Sequence, residues 1–258
     1  MPASRPRVEI HLPIYEGHVD EAIQNIPVVH AFCTQKLSSY HWRMVIDFNG
    51  PEKGGLAKIV DLASRFPYIR VTRILKPGKG CAILNNAIST DADYFVYMDV
   101  DLSTDLEALP DLLARAPEGD VVTGSRYLPA SIIHRDPVRL FVSKTFTLLL
   151  HPVLGARFTD PECGFKVMNV RTMRDVFLHI QDSKFFFETE MMYLAQKSGK
   201  KMVEIPVRWT EQQNSSLKLL PTIHSFLKNL YRIRFRSSSV EAPWREDVNV
   251  VHDAHYTA

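Results

Sequence analysis

Tyr94-Phe95-Val96-Tyr97-Met98-Asp99-Val100-Asp101 is an apolar run that breaks off in two carboxylates one residue apart. Its length, its aromatic content and the polar residues on either side (Asp91 and Asp93 before, Ser103, Thr104 and Asp105 after) predict a buried strand. At the carboxyl end of such a strand, Asp99 and Asp101 emerge where open α/β sheets bind their ligands. Carboxylate oxygens are hard donors suited to Mg²⁺ or Mn²⁺, and an ion held by one or two of them takes its other ligands from water and a substrate phosphate. The stretch therefore predicts a platform for a metal and a diphosphate. Asp-x-Asp also occurs as two solvated acids at a strand end, with Asp101 capping the next helix, so the neighbours must decide.

Upstream, Arg7-Val8-Glu9-Ile10-His11-Leu12-Pro13 alternates as a first strand that Pro13 ends by removing a backbone donor. Ile14-Tyr15-Glu16-Gly17 makes a loop, and a helix follows from Val19 to Lys36. Tyr15 and Glu16 suit a nucleoside, the ring by stacking and the acid by accepting from base or ribose; they suit plain loop filler equally. Arg43 to Phe48 is a second strand leaving through Asn49-Gly50-Pro51, then come a helix over Leu56 to Arg65 and a third strand over Ile69 to Ile74. This alternation predicts an α/β fold with a parallel sheet and right-handed crossovers. Lys76-Pro77-Gly78-Lys79-Gly80 opens the next helix, and two glycines around a lysine let backbone amides and an ammonium approach phosphate. The spacing is not that of a P-loop, and a tight turn reads the same residues as well.

Downstream, a short helix over Leu106 to Arg115 and a strand over Asp120 to Thr123 deliver Gly124-Ser125-Arg126-Tyr127 to the same sheet edge. Arg139, Ser143 and Lys144 share a helix face, and with Arg126 they form either an anion site or, for the helical pair of cations, a solvated surface. Asp160-Pro161-Glu162-Cys163-Gly164-Phe165-Lys166 reads as a polar turn between two helical regions, with charges that meet no structural need. Glu188 and Glu190 open a helix running to Lys197, where Glu190 either sits favourably in the first turn or points into the pocket. A last strand over Lys201 to Val207 leads to Arg208-Trp209-Thr210-Glu211 and a polar loop to Ser216. Ile223, Phe226, Leu227 and Leu230, with Lys228, Arg232, Arg234 and Arg236 beside them, form an amphipathic basic helix. Such a stripe packs on the domain or lies on an anionic membrane. Residues 237–258 lack periodicity and are expected to be a flexible tail.

The 258 residues carry a formal charge of +2, too small to argue for nucleic acid, although basic residues crowd the last part of the chain. Three cysteines without metal-ligand spacing predict buried free thiols in a reducing compartment. The first seven residues contain no apolar core of a secretory signal, and Leu140 to Gly155 is too short and too interrupted to span a bilayer. A soluble or peripheral protein, cytoplasmic or at the cytoplasmic face of a membrane, is expected.

Taken in order, Pro13-Ile14-Tyr15-Glu16, Gly78-Lys79-Gly80, Met98-Asp99-Val100-Asp101-Leu102, Gly124-Ser125-Arg126-Tyr127, Cys163-Gly164-Phe165-Lys166 and Pro206-Val207-Arg208-Trp209 resemble an inverting family-two glycosyltransferase. The resemblance runs from about Val8 to Phe235 and is to the branch of dolichyl-phosphate mannose synthase and polyprenyl-phosphate glycosyltransferases. It implies a GT-A (Rossmann-like) fold, a mostly parallel sheet flanked by helices in a single domain over 7–236. Residues 1–6 would be a tail, 7–105 the nucleotide-sugar half, 106–216 the acceptor half and 217–236 the basic helix. It further implies that Pro13, Tyr15, Glu16, Asp47, Asn49, Lys79, Asp99 and Arg208 bind the nucleotide sugar, and that Asp99 and Asp101 hold Mg²⁺ or Mn²⁺. Arg126, Arg139, Ser143 and Lys144 would grip the acceptor phosphate, and Asp160 and Glu190 would join Asp99 and Asp101 as catalytic acids near the sugar.

The chain departs from that pattern in places. The family's second strand carries an acid just before Asn-Gly or in an Asp-Asp-Gly turn, whereas here Phe48 precedes Asn49 and the acid is Asp47. Strand faces alternate, so this shift turns Asp47 away from a base. Ser216 stands where relatives often have a basic residue, with Lys218 two places on, and no membrane helices follow. The implied reaction moves a hexose from a GDP-mannose or UDP-glucose type donor to a polyprenyl or dolichyl phosphate, with peripheral membrane contact through 217–236. A hydroxyl acceptor on a sugar, peptide or small molecule is the alternative, with Asp160 or Glu190 as base. Asp99-Val100-Asp101-Leu102-Ser103 is also close to the first motif of haloacid-dehalogenase phosphatases, but that motif ends a first strand and three strands precede it here. A non-catalytic nucleotide-sugar or membrane-binding module is the remaining reading.

Overall fold

The paired acids leave a strand that is buried on both faces. In the computed structural model, which describes residues 5–212, 219–235 and 242–254, that strand is β4 (Tyr94–Met98). Phe95 and Tyr97 point into one apolar cluster and Val96 and Met98 into another, as the two-residue period of a strand requires. The sheet around it also contains β1 (Arg7–Ile14), β2 (His41–Asn49), β3 (Ile69–Ile74), β5 (Val121–Ser125), β7 (Phe165–Asn169), β8 (Met202–Pro206) and β10 (Asn249–Asp253). Their order is β10-β3-β2-β1-β4-β7-β5-β8. Strands β3, β2, β1 and β4 run parallel, as do β5 and β8, while β7 and β10 are antiparallel to their neighbours. The remaining short strands, β6 (Ile132–His134) and β9 (Arg208–Thr210), pair with each other.

Helices cover both faces. On one side α1 (Val19–Lys36), α2 (Gly55–Ala63) and α4 (Ala108–Arg115) bury Ile26, Ile59 and Leu112 against Val8, Ile10 and Leu12 of β1. On the other, α3 (Lys79–Ser89), α6 (Val170–His179) and α7 (Phe187–Lys197) pack Ile83, Phe177 and Met191 over Phe95 and Met168. Each such side chain taken from water contributes about 1.5–3 kcal/mol. Two helices complete the second layer: α5 (Pro137–Leu154) and α8 (Leu219–Phe235), joined through an edge-on contact of Phe146 with Phe226. Cys33, Cys81 and Cys163 are buried and free. No described helix is long and apolar enough to cross a membrane.

Three sequence expectations need correction. Pro13 lies within β1, opposite Asp47; the β1–β4 ladder ends at His11, so the missing amide interrupts no pairing on that side. The turn expected over 160–166 runs directly into β7, which sits between β4 and β5. Lys166 in that strand is fully buried, because its ammonium donates to the Cys163 carbonyl and to Glu188. The tail expected to be flexible contains β10, which pairs with the outer edge of β3, and Trp244, one of the largest fully buried side chains. Ser216 and Lys218 lie outside the described residues, as does Arg236.

Candidate active site at the carboxyl end of β4

Asp99 follows Met98 directly, and its side chain is 44% exposed at the lip of the sheet. The backbone then turns sharply, with Leu102 in the left-handed region at φ 53° and the Ser103 amide donating to Asp101 Oδ1 at 2.9 Å. The turn lays residues 103–105 against β9. Thr210 donates its amide to the Ser103 carbonyl at 2.8 Å, and Asp105 donates to the Arg208 carbonyl at 3.0 Å. Between the turn and β6–β9 opens a cleft of about 700 Å³, lined by Leu102 to Leu106 on one side and by Ile132, His134, Arg208 and Thr210 on the other.

Beneath Asp99 lies a row of alternating charges. The Lys79 ammonium stands 2.7 Å from Asp99 Oδ1 and 2.7 Å from Glu188 Oε1, and Lys166 stands 2.8 Å from Glu188 Oε2. Both ammoniums sit over the Tyr97 ring, 5.6 and 5.4 Å from its centroid. Burial alone would raise the Glu188 carboxyl, but Lys166 and Lys79 outweigh it and hold its pKa down at about 2. Half-buried Glu162, which accepts from the Thr189 hydroxyl, moves the other way: burial, then the charge of Glu188, pushes it up to about 8. Asp99 is also raised, by burial first and then by Asp101 and Glu188, against the pull of Lys79.

These residues fit a divalent cation. Two carboxylates repel each other at the lip, a lysine ammonium already stands as a cation on one of them, and both offer hard oxygens. A Cβ at Gly164 would come 2.1 Å from Asp99 Oδ2, so only glycine leaves that oxygen its position. Among the described residues no set of three acidic, histidine or cysteine side chains forms a closed metal cage. An ion here would complete its shell from ligand oxygens and water, the usual arrangement for Mg²⁺ beside phosphates.

The expected nucleotide residues separate into two groups. Tyr15 is 42% exposed and tilts against His18 just past the end of β1. Glu16 accepts from the Gly55 amide at 3.1 Å and so caps α2. Asp47 is fully buried, 3.0 Å from His11 Nδ1 and 3.1 Å from the Thr72 hydroxyl, and is out of reach of any base. Asn49 is a buried staple, donating to the Ile14 carbonyl and accepting from the Gly78 amide at 2.9 and 3.0 Å. The glycine loop is not an amide cradle for phosphate, because the amides of Gly80 and Cys81 donate to the carbonyls of Lys184 and Ser183. What the loop presents is the Lys79 ammonium alone. Gly78 permits this at φ 140°, with a Cβ there striking the Ser183 carbonyl at 2.1 Å.

The acceptor candidates gather around Tyr127. Its hydroxyl donates to Ser143 at 2.7 Å, and Arg126 and Lys144 lie 5.6 and 5.8 Å from its ring centroid. Arg126 itself is closed on Asp160, which has no exposed surface, so neither is free as sugar acid or phosphate clamp in this arrangement. Arg139 pairs with Glu211 at 3.0 Å. Glu190 is also corrected: it binds Arg232 through both oxygens at 2.9 and 2.7 Å and fastens α8 to α7, away from Asp99. Residues given no individual role from the sequence are Glu188 and Lys166, which it named within motifs, and Arg135, which it did not single out. Arg135 donates to Ser143 at 3.1 Å and lies over Trp209, which also meets Arg126. Four cations thus face two carboxylates, Asp160 and Glu211, leaving this wall positive. Glycine loops and Cys-Gly-Phe-Lys signalled the lysines; nothing in the sequence signalled Arg135.

No protein-family model matches the chain. Glycosyltransferase AglD of Haloferax volcanii is 30% identical over 148 residues, 57% of this chain and 24% of that protein. The dolichyl-phosphate beta-glucosyltransferase of Dictyostelium discoideum is 29% identical over 215 residues, 79% of this chain and 65% of that protein. The chain thus spans about two thirds or less of the length of these relatives. Among solved structures, glucosyl-3-phosphoglycerate synthase of Mycobacterium tuberculosis, in complex with Mn²⁺, UDP and glucosyl-3-phosphoglycerate, superposes with a TM-score of 0.61. It shares 14% identity, covering 91% of this chain and 82% of the other. In sequence, then, the chain resembles the dolichyl-phosphate glycosyltransferases, and its fold is that of the GT-A glycosyltransferases.

Proposed function

We propose that the chain transfers a hexose from a nucleotide sugar of the GDP-mannose or UDP-glucose type to a polyprenyl or dolichyl phosphate, with Mg²⁺ or Mn²⁺ held by Asp99 and Asp101. The carrying observation is that the turn after these acids is bonded to β9, while Trp209 of β9 meets Arg126 and Arg135 of the wall that also holds Arg139 and Lys144. Donor and acceptor phosphates would then meet across one cleft. A relative that acts on dolichyl phosphate and a fold neighbour holding Mn²⁺ with UDP support the reading.

When bound, the ion supplies a Lewis acid to the diphosphate that leaves the anomeric carbon. Lys79 brings a second positive charge to the same oxygens, and Glu188 fixes its direction. Arg208, which lines the cleft beside the turn, would reach toward the diphosphate. Tyr15 stacks on the base. Ser143, Arg139 and Lys144 orient an acceptor phosphate, which is already an anionic nucleophile and requires positioning rather than deprotonation. A hydroxyl acceptor remains the second reading, although its two candidate bases, Asp160 and Glu190, are held by Arg126 and Arg232.

The same reading places the protein at a membrane surface. Helices α5 and α8 contain no Asp or Glu, and besides Arg139 and Arg232, which pair with Glu211 and Glu190, they carry Lys144, Lys228 and Arg234. They expose Val138, Phe141, Leu148, Leu227, Tyr231 and Phe235, with Phe141 71% exposed, a combination suited to an anionic lipid surface. The deciding experiment is a thermal-shift panel of UDP-, GDP- and dTDP-sugars with and without Mn²⁺, followed by transfer to a short-chain prenyl phosphate. A melting point that no sugar nucleotide raises, together with no transfer, would reject the proposal.

A further inference from the structure

The segment Ala242–Asp253 is built into the donor side of the molecule. Trp244, 1% exposed, donates its indole N–H to the Ile180 carbonyl at 2.7 Å, and its own carbonyl accepts from Asn85 of α3 at 3.0 Å. Two residues on, Glu246 donates its amide to Asn85 Oδ1 at 3.0 Å. Its carboxylate accepts from the amides of Leu75 and Lys76, the latter at 3.2 and 3.3 Å to its two oxygens. The Lys76 ammonium reaches back to the carbonyls of Pro243 and Arg245 at 3.2 and 3.1 Å. These contacts grip the loop between β3 and α3 at its first residues, three positions before Lys79.

That loop needs an outside anchor. Leu75 is 65% exposed and contributes nothing to the core, and Pro77 has no amide to bond. Its far end is held by Asn49 on the Gly78 amide and by the Ser183 carbonyl on Cys81. Glu246 holds the near end, so the loop is fixed at both ends and Lys79 is aimed at Asp99. We infer that Glu246 is a positioning residue for Lys79, and that the stretch from Pro243 to Glu246 is a working part of the donor site. This rests on the reading of Lys79 as a diphosphate ligand given above.

The test uses the full chain with Glu246→Ala and Glu246→Gln. Amide exchange at Leu75 and Lys76 should accelerate at least tenfold in Glu246→Ala. UDP affinity in Mn²⁺ should weaken about tenfold and kcat/KM for the donor should fall at least as much, because Lys79 meets the diphosphate both when it is bound and as it leaves. Glu246→Gln keeps an accepting oxygen for both amides and should recover most of the affinity. Arg70→Ala, which cuts the pair of Arg70 with Asp253 in β10, serves as the control: it should lower the melting temperature and leave kcat/KM for the donor unchanged. Faster exchange in Glu246→Ala with unaltered UDP affinity overturns the positioning role and leaves the transferase reading intact. If the wild-type chain binds no nucleoside diphosphate, both fall.

Discussion

Arg126 closes on Asp160 with Nε and Nη2 at 2.7 and 2.8 Å from separate carboxylate oxygens, and the Arg126 amide donates to the same group at 2.9 Å. Both residues are buried, so each neutralises a charge the interior cannot otherwise hold. Removing one partner strands the other. Arg126→Ala and Asp160→Ala should each cost about 3–5 kcal/mol in urea denaturation. The double variant should cost far less than their sum, and additive losses would show that the pair is not coupled.

Gly164 is a sharper probe of the acids at the lip. A methyl group there has no room beside Asp99 Oδ2, yet Asp99 is half-exposed and can swing aside. Gly164→Ala should lower stability by less than about 1 kcal/mol and cut Mn²⁺-dependent UDP binding about tenfold or more, measured by calorimetry. Unchanged binding would place the ion elsewhere.

Asp101→Asn keeps the shape of the turn and the bond from the Ser103 amide while removing a charge. Transfer should fall by about a hundredfold, and EDTA should abolish what remains in the wild type. Full transfer by this variant in EDTA would exclude a metal role for the pair.

His11 lies between Glu9 and Asp47, 3.4 and 3.0 Å away, stacked on Phe95. Burial opposes its charge, but Asp47 and then Glu9 outweigh that and push its pKa up to about 9. Asp47 itself is raised by burial more than His11 lowers it; with carboxylates on two sides, His11 is the group we assign the proton. The folded pKa stands above the unfolded 6.5, so the native state binds the extra proton between the two values. Stability from this site is complete below about pH 6.5 and lost as pH rises through about 9. The melting temperature should decline over that window, and His11→Gln should flatten the decline.

For the membrane face, the wild type should co-sediment with anionic vesicles and not with zwitterionic ones. Phe141→Ser with Leu148→Ser should weaken that binding about tenfold without changing transfer to a short-chain prenyl phosphate. Equal binding to both vesicle types would remove the electrostatic part of the proposal.

Much of this architecture was legible because β4 announces itself. An alternating aromatic strand ending in acids has few other structural meanings, and the strand-helix alternation before it fixed four parallel strands. The displaced acid of β2 was legible too: one position along a strand reverses the face, and Asp47 indeed lies inside. Strand β7 was not, because Lys166, its second residue, is tolerable in a core only with Glu188 beside it, a partner 22 residues away. The choice between Glu188 and Glu190 depended on helical phase. Two residues apart on a helix face nearly opposite ways, and the run Phe185-Phe186-Phe187 is apolar all round and sets no phase. Arg126 and Asp160 were each visible as charges, but their mutual bond is a property of the fold.

β10 has one more effect. By lying along β3 it occupies hydrogen-bonding groups that would otherwise offer a template to any extended peptide. A shortened chain ending before Asn249 would leave that border open and invite strand pairing between molecules, visible as concentration-dependent association in light scattering. Affinity handles placed after Asp253 emerge from the rim of the sheet beside β3, and their choice bears on solubility as well as purification.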